Sequence, residues 1–242
     1  MSAIAIETRM HRTVGFYGTA VGKKFLMAVT GVVLLAYVLG HLLGNLQIFI
    51  PPDPTTGVYQ INTYAEFLHS HYVLLWVVRV FLLAAVGLHI ITSLQLWFEA
   101  RSARPIGYVK KDDIPNAITA RTMIYGGLAI AAFVIFHILN LTTGNVGPQL
   151  QELGQNAPDA YTNVVHSFRV WWISAAYIVA IVFLCMHLMH GMWSMLHTVG
   201  WDNEHVRPVL EQIATVVAIA VAAGYISIPV AVMTGLIGKG VQ

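Results

Sequence analysis

Five long apolar runs separated by more polar stretches constrain this chain more than any other feature. They lie near Phe25–Ile50, Tyr72–Phe98, Arg121–Thr142, Val170–His197 and Val209–Ile237. A helix needs about 20 apolar residues to cross a bilayer, and each run is long enough. In hydrocarbon every backbone N–H and C=O must be satisfied within the segment or a closed barrel. The runs are continuous rather than alternating, which points to helices and away from barrel strands. Breakers separate them: Pro51-Pro52-Asp53-Pro54, Arg104-Pro105-Ile106-Gly107, Thr143-Gly144-Asn145, and the stretch between Trp201 and Pro208. The first run is too long for a signal peptide and follows a polar segment.

Composition agrees with this reading. Of the 242 residues 57% are apolar and only 10% are Asp, Glu, Lys or Arg, where soluble domains carry roughly 25% charged residues. The mean hydropathy is +0.69. The expected fold class is an all-α membrane protein with five transmembrane helices, residues 1–242 forming one integral-membrane domain. A net charge of +2 gives no argument for nucleic acid. The single cysteine, Cys185, excludes an internal disulfide and a four-thiolate cluster. In its apolar run it reads as a small buried hydrophobe.

Lys and Arg set the expected orientation. Arg9, Arg12, Lys23 and Lys24 precede the first run. Arg101, Arg104, Lys110, Lys111 and Arg121 fall in or beside the second gap, and Arg207 in the fourth. These ten of the thirteen basic residues lie on one side. The positive-inside rule then puts the N-terminus in the cytoplasm and the C-terminus outside.

Histidine is the unusual residue, with eleven in the chain. Ionisable groups inside a membrane are costly and mark function. The first four runs each hold one well inside: His41, His89, His137 and His187; the fourth adds His190. At about 1.5 Å per residue, His41 and His137 fall in an outer layer, and His89 and His187 in an inner one, roughly 10–15 Å away. Two imidazoles at each of two depths suit bis-histidine haem, whose iron takes an axial nitrogen on each face. A four-helix bundle presents such ligands from facing helices. Zinc fits less well, because it wants three or four ligands at one depth. The structural alternative for any single histidine is a hydrogen bond to a neighbouring helix. His187 and His190 are about 60° apart around their helix, so both cannot serve the same face of one iron. From this chemistry alone either can be the ligand, the other bonding a neighbour or a haem propionate.

The residues around these histidines carry a resemblance. They are Gly22-Lys23-Lys24 with Thr30-Gly31, and His41-Leu42-Leu43-Gly44-Asn45-Leu46. Asn62-Thr63-Tyr64-Ala65-Glu66-Phe67-Leu68 and Arg101-Ser102-Ala103-Arg104-Pro105-Ile106-Gly107-Tyr108 follow. Arg121-Thr122-Met123 and His187-Leu188-Met189-His190-Gly191-Met192-Trp193-Ser194 complete the set. In this order they resemble the cytochrome b membrane anchor of bacterial succinate dehydrogenase and fumarate reductase, of the five-helix, two-haem type. The likeness runs from about Gly22 to Gly200.

That resemblance implies two haem b groups. His41 and His137 would be axial ligands of the distal haem iron, and His89 and His187 of the proximal one. The family ligand on the fourth helix lies four residues before a Gly, an apolar residue and an aromatic. Gly191-Met192-Trp193 matches, which favours His187 over His190. The resemblance further implies a flavoprotein with FAD and an iron–sulfur protein as partner subunits, and quinone, with menaquinone the expected species, as the membrane substrate. The chain has no Gly-rich dinucleotide fingerprint, so flavin and cluster chemistry would belong to those partners. On its own it would not oxidise succinate. The implied location is the bacterial cytoplasmic membrane, in contact with lipid. One departure stands out. Some fumarate reductases of this group carry a glutamate two residues before the fourth-helix ligand, where this chain has Cys185. A thiol cannot replace a carboxylate relay, and this leans toward succinate oxidation.

Secondary candidates follow. Arg79, inside the second run, can pair with a distal propionate or snorkel to the interface. Arg169, beside Trp171-Trp172, reads as an interface anchor or a propionate contact. For quinone, the outer candidates are Asn45, Tyr64, Glu66 and His69, with Glu66 as proton acceptor. The inner ones are Arg101, Trp193, Ser194 and His197. Interfacial solvation or helix capping is the alternative role for each. Two other functions share parts of the pattern: a cytochrome b anchor for a hydrogenase or formate dehydrogenase, and a haem-free transporter or structural anchor. The strings at Asn62–Leu68 and Arg101–Tyr108 argue against the first. The second lacks the paired interrupted helices of many transporters.

Overall fold

In the computed structural model the described residues are mostly helical. It describes residues 15–103, 117–153, 157–198, 200, 203 and 205–241. The sequence features at Arg9, Arg12, Arg104–Tyr108, Lys110, Lys111 and Trp201 lie outside the described residues, as do the side chains of Arg121 and Thr122. The helices are α1 (Ala20–Leu46), α2 (Gln60–Ser70), α3 (Tyr72–Ser102), α4 (Ala117–Leu141), α5 (Ala160–Arg169), α6 (Trp171–Thr198) and α7 (Arg207–Met233). Two short strands, β1 (Glu152–Leu153) and β2 (Ala157–Pro158), pair antiparallel between α4 and α5. Among the described residues five helices, α1, α3, α4, α6 and α7, are long and apolar enough to span a membrane. The protein is an all-α, multi-pass membrane protein.

Some span ends differ from the sequence expectation for local reasons. α1 begins at Ala20 rather than Phe25, because the Thr19 side chain caps it by accepting from the Gly22 N–H at 3.0 Å. Lys23 and Lys24 are therefore helical. α7 ends at Met233 rather than Ile237. Gly235 there takes φ +70°, and the Leu236 and Ile237 N–H groups both return to the Ala231 carbonyl, at 2.8 and 3.2 Å. A left-handed glycine of this kind ends a helix at no steric cost.

α1, α3, α4 and α6 form a ring in that order, each packed on its two neighbours, and α7 lies outside against α6 and α1. The end carrying the α1 N-terminus is the near end, the other the far end. The α6–α7 seam is tight, since Ala214, Ala218 and Ala222 are buried along it. Small residues let membrane helices approach closely enough for dispersion to hold them. At the near end, α1 and α3 are joined by the Lys23–Glu99 ion pair and by Tyr17 Oη donating to Gln95 Oε1 at 2.8 Å. Outward-facing Val, Leu, Ile and Phe side chains cover the spans, as a lipid-facing surface requires.

The far end carries a cap. α2 and α5 are short helices packed against each other and over the bundle, each separated from the following span by one residue, His71 or Val170. Asp159 starts α5 by accepting from the Thr162 N–H at 3.0 Å. Asn62 on α2 donates to Asp159 Oδ1 at 3.0 Å and accepts from the Tyr161 N–H at 2.8 Å. The Tyr59 and Tyr161 rings stack with centroids 3.5 Å apart. Arg169 donates to the carbonyls of Val241 and Gly238, each at 2.8 Å, and Tyr161 Oη accepts from the Gly238 N–H at 3.0 Å. These bonds tie the C-terminal segment to the cap. Beneath it lies the larger apolar core, with Ile48, Ile61, Val165, Phe168, Ile173, Ile228 and Val232.

Asn62 is the central bond of this cap and is buried. Replacing it with Ala leaves the Tyr161 N–H without its acceptor. The expected cost is about 1–3 kcal/mol, read as a lower unfolding temperature in detergent. An unchanged Tm would show that the cap contributes no stability.

Candidate functional site

Two histidine pairs lie across the ring. His41 of α1 faces His137 of α4, with ring centroids 5.8 Å apart and planes at 83°. His89 of α3 faces His187 of α6 at 6.3 Å and 64°. Both pairs join helices that are diagonal in the ring, and the two diagonals cross. Among the described residues no third His, Cys, Asp or Glu joins either pair as a metal-binding group.

The vertical spacing is set by the chain. A Cβ added at Gly31 of α1 would lie 3.6 Å from His89 Cε1, and one at Gly127 of α4 would lie 3.6 Å from His187 Cε1. Gly31 and Gly127 therefore mark the near level, ten residues before His41 and His137 respectively. On α6, Tyr177 meets His137 at the far level, ten residues before His187. Ten residues rise about 15 Å, so three helices give the same separation. Ten residues also fall about 80° short of three full turns. A helix that points a ligand along one diagonal at one level therefore presents a different face at the other. Arg79 is ten residues before His89 on α3, which puts it at the far level. Its guanidinium lies 5.2 Å from the Trp76 ring, and Tyr37 of α1 stacks on His41 with centroids 5.4 Å apart.

Hydrogen bonds orient two of the four imidazoles. The Thr30 hydroxyl donates to the Leu26 carbonyl at 2.9 Å, and its oxygen lies 3.1 Å from His89 Nδ1. With that proton engaged in the helix, His89 Nδ1 must be the donor and Nε2 is left bare. His137 Nδ1 lies 3.0 Å from Tyr177 Oη. His187 Nδ1 is buried with no partner, as is Thr92 Oγ1 one turn beyond His89. An orphaned buried polar atom costs about 1–3 kcal/mol.

These residues fit haem in three respects. A metal-bound imidazole nitrogen lies about 2 Å from the metal, and about 1 Å more reaches the ring centre. Two rings on opposite faces then have centroids about 6 Å apart, close to both spacings. Gly31 and Gly127 put no side chain against the Cε1 edges of the near-level imidazoles. The orphaned Thr92 Oγ1 at that level is a polar group that a prosthetic group with polar substituents can satisfy. His41, His137, His89 and His187 would be the ligands.

His190 points elsewhere. It packs on Trp193 with centroids 5.9 Å apart, and both line a cleft with Pro208, Glu211 and Gln212 of α7. The ring opposite His89 is that of His187. Glu66 is exposed on α2, whereas Tyr64 packs against Gly44, where an added Cβ would lie 2.7 Å from the Tyr64 ring. Asn45 is half-buried near the far end of α1. His69 Nδ1 donates to the Ala65 carbonyl at 2.9 Å. The Arg169 guanidinium is taken up by main-chain carbonyls, and Arg101 lies over Trp97 at 4.2 Å. Trp193 stacks on His197, and its Nε1 is buried without a partner; Ser194 is half-buried.

The sequence does not single out Thr30 and Tyr177 as partners of the histidines, or Asn140 as the partner of Tyr177. A hydroxyl or amide in an apolar run is a signal for such a partner, but the run does not say which neighbouring helix it faces. Comparison with family models, curated proteins and solved structures finds no significant match.

Thr30→Val keeps the shape and removes the acceptor for His89 Nδ1. It is expected to lower unfolding free energy by about 1–3 kcal/mol, with Thr30→Ser close to wild type, measured by reversible unfolding in mixed micelles. Equal stability of the Val and Ser variants would show that this bond is not made.

Proposed function

We propose that this protein is the dihaem cytochrome b subunit that anchors succinate:quinone oxidoreductase to the membrane. The observation that carries the reading is the pair of facing histidine pairs, on crossed diagonals and at levels about 15 Å apart. Haem, when bound, supplies a one-electron carrier whose potential depends on its axial ligands and surroundings. The chain's residues would hold and insulate two such carriers. His41 and His137 would ligate at the far level, and His89 and His187 at the near level. Tyr37, Tyr225, Phe133 and Tyr177 pack around the far-level imidazoles, and the α2–α5 cap lies over that end. Arg79 is the candidate cation for a far-level propionate. His190, in the α6–α7 cleft, is the weaker candidate at the near end.

The partners follow from what the chain lacks and what its motifs resemble. With one cysteine and no dinucleotide fingerprint, it would receive electrons from an iron–sulfur subunit fed by an FAD flavoprotein. Those subunits would dock on the basic near side, which the positive-inside rule makes cytoplasmic in a bacterial cytoplasmic membrane. Quinone, menaquinone in this reading, would take two electrons and two protons, with exposed Glu66 on α2 as the proposed carboxylate that accepts protons from the aqueous side and passes them on. Cys185 favours the succinate-oxidising direction, since no carboxylate stands at that place in α6. A haem b anchor of a hydrogenase or formate dehydrogenase would share the histidine geometry, and the identity of co-purifying subunits separates the two.

The purified protein should contain two haem b per chain by pyridine haemochrome. His41→Ala and His137→Ala should each remove one haem, and His89→Ala and His187→Ala the other, while His190→Ala keeps both. A folded native preparation without haem would overturn the cytochrome reading and favour a transporter or packing role for the histidines.

A further inference from the structure

The far-level histidine of α4 is held by a chain of side chains whose proton positions are determined by its end points. Asn140 Nδ2 donates to the Val146 carbonyl at 2.9 Å and to Ser167 Oγ at 3.3 Å. A carbonyl only accepts, so the Asn140 amide cannot be turned over, and its Oδ1 faces Tyr177. The Tyr177 hydroxyl donates to that Oδ1 at 3.0 Å. A phenol has one proton, so Tyr177 presents only lone pairs to His137 Nδ1, 3.0 Å away. His137 Nδ1 must then carry the proton and donate. In a neutral imidazole this leaves Nε2 as the bare nitrogen. Asn140 and Ser167 are fully buried and Tyr177 is 7% exposed, so bulk water does not compete for these bonds.

We propose that Asn140 and Tyr177 are positioning residues that fix the Nε2-ligating tautomer of His137 and set how strongly that imidazole donates to iron. The inference rests on the dihaem reading. Ligating histidines commonly donate their second N–H to a fixed acceptor, which orients the ring and raises its basicity. At the near level, Thr30 gives His89 a similar acceptor whose own proton is held by a main-chain carbonyl of α1. At the far level the acceptor depends on a second side chain. Removing Asn140 therefore does more than weaken a bond. It frees the Tyr177 proton to turn toward His137 Nδ1, which favours the tautomer protonated at Nε2, and that tautomer cannot ligate.

The test compares Tyr177→Phe, Asn140→Leu and the double variant as purified full-length protein. Haem is counted by pyridine haemochrome, potentials are taken by redox titration, and low-spin signals by electron paramagnetic resonance. In Tyr177→Phe two haems remain, and one midpoint potential rises while the other stays. The rise is expected because an imidazole without its acceptor donates less and favours the ferrous state. The low-spin signal of that haem alone moves. In Asn140→Leu haem falls from two toward one per chain, and in the double variant it recovers toward two, because no hydroxyl is left to donate to Nδ1. Should Asn140→Leu fail to fold, the Tyr177→Phe potentials decide alone. Two haems with both potentials unmoved in Tyr177→Phe overturn this inference and leave the dihaem reading standing. A folded double variant no better loaded than a folded Asn140→Leu overturns the tautomer argument. A folded wild type without haem overturns both.

Discussion

A neutral imidazole inside a membrane has one donor and one acceptor, and hydrocarbon satisfies neither. Four of them across two diagonals of one helix ring therefore govern much of what surrounds them. His89 and His137 place their Nδ1 atoms against hydroxyls whose protons are already committed. His187 Nδ1 is buried without a partner. Leaving such groups unmet costs about 1–3 kcal/mol each, a large share of a typical domain's net stability. Opposite the near-level rings the neighbouring helices carry glycine, at Gly31 and Gly127. The bundle is built around the imidazoles rather than merely containing them.

The two ends of the bundle are finished differently. At the far end α2, α5 and the C-terminal segment are joined by buried polar bonds through Asn62, Asp159, Tyr161 and Arg169. Ser167 of α5 also meets Asn140 of α4, so the cap reaches the far-level histidine through Tyr177. At the near end α1 and α3 are joined by Lys23–Glu99 and Tyr17–Gln95, and no comparable cap lies there among the described residues. In the proposed function this asymmetry would leave the near side for docking subunits, while the cap covers the far-level imidazoles.

Much of the fold was legible in the sequence because spanning length is a one-dimensional property. Continuous apolar runs of the right length give helices, and the breakers separate them. α2 and α5 were missed because they are short, and at their level of hydropathy they read as loop. The signal for α5 was local: Asp159 followed by Thr162, an acceptor at the start of a helix. The extra turns of α1 also had a cap signal in Thr19, ahead of the apolar run. Glu66 was singled out for its charge and its neighbours in the chain, but its exposure on α2 depends on how that helix lies over the bundle.

The sequence by itself determined the number of spans, the depth of each histidine and the separation of the two levels. Depth along a helix follows from residue count at about 1.5 Å per residue and needs no neighbour. The chemistry of the sequence left His187 and His190 both open, the resemblance favoured His187, and the tertiary structure decided which ring looks at which. Azimuth has meaning only once the order of helices around the ring is known. That order makes His187 rather than His190 the ring opposite His89, and it brings Thr30 and Tyr177 onto His89 and His137. It also lets one amide, Asn140, govern where a proton sits on an imidazole two hydrogen bonds away. Such bonds join residues 37 to 59 positions apart, and no local pattern in the chain records them.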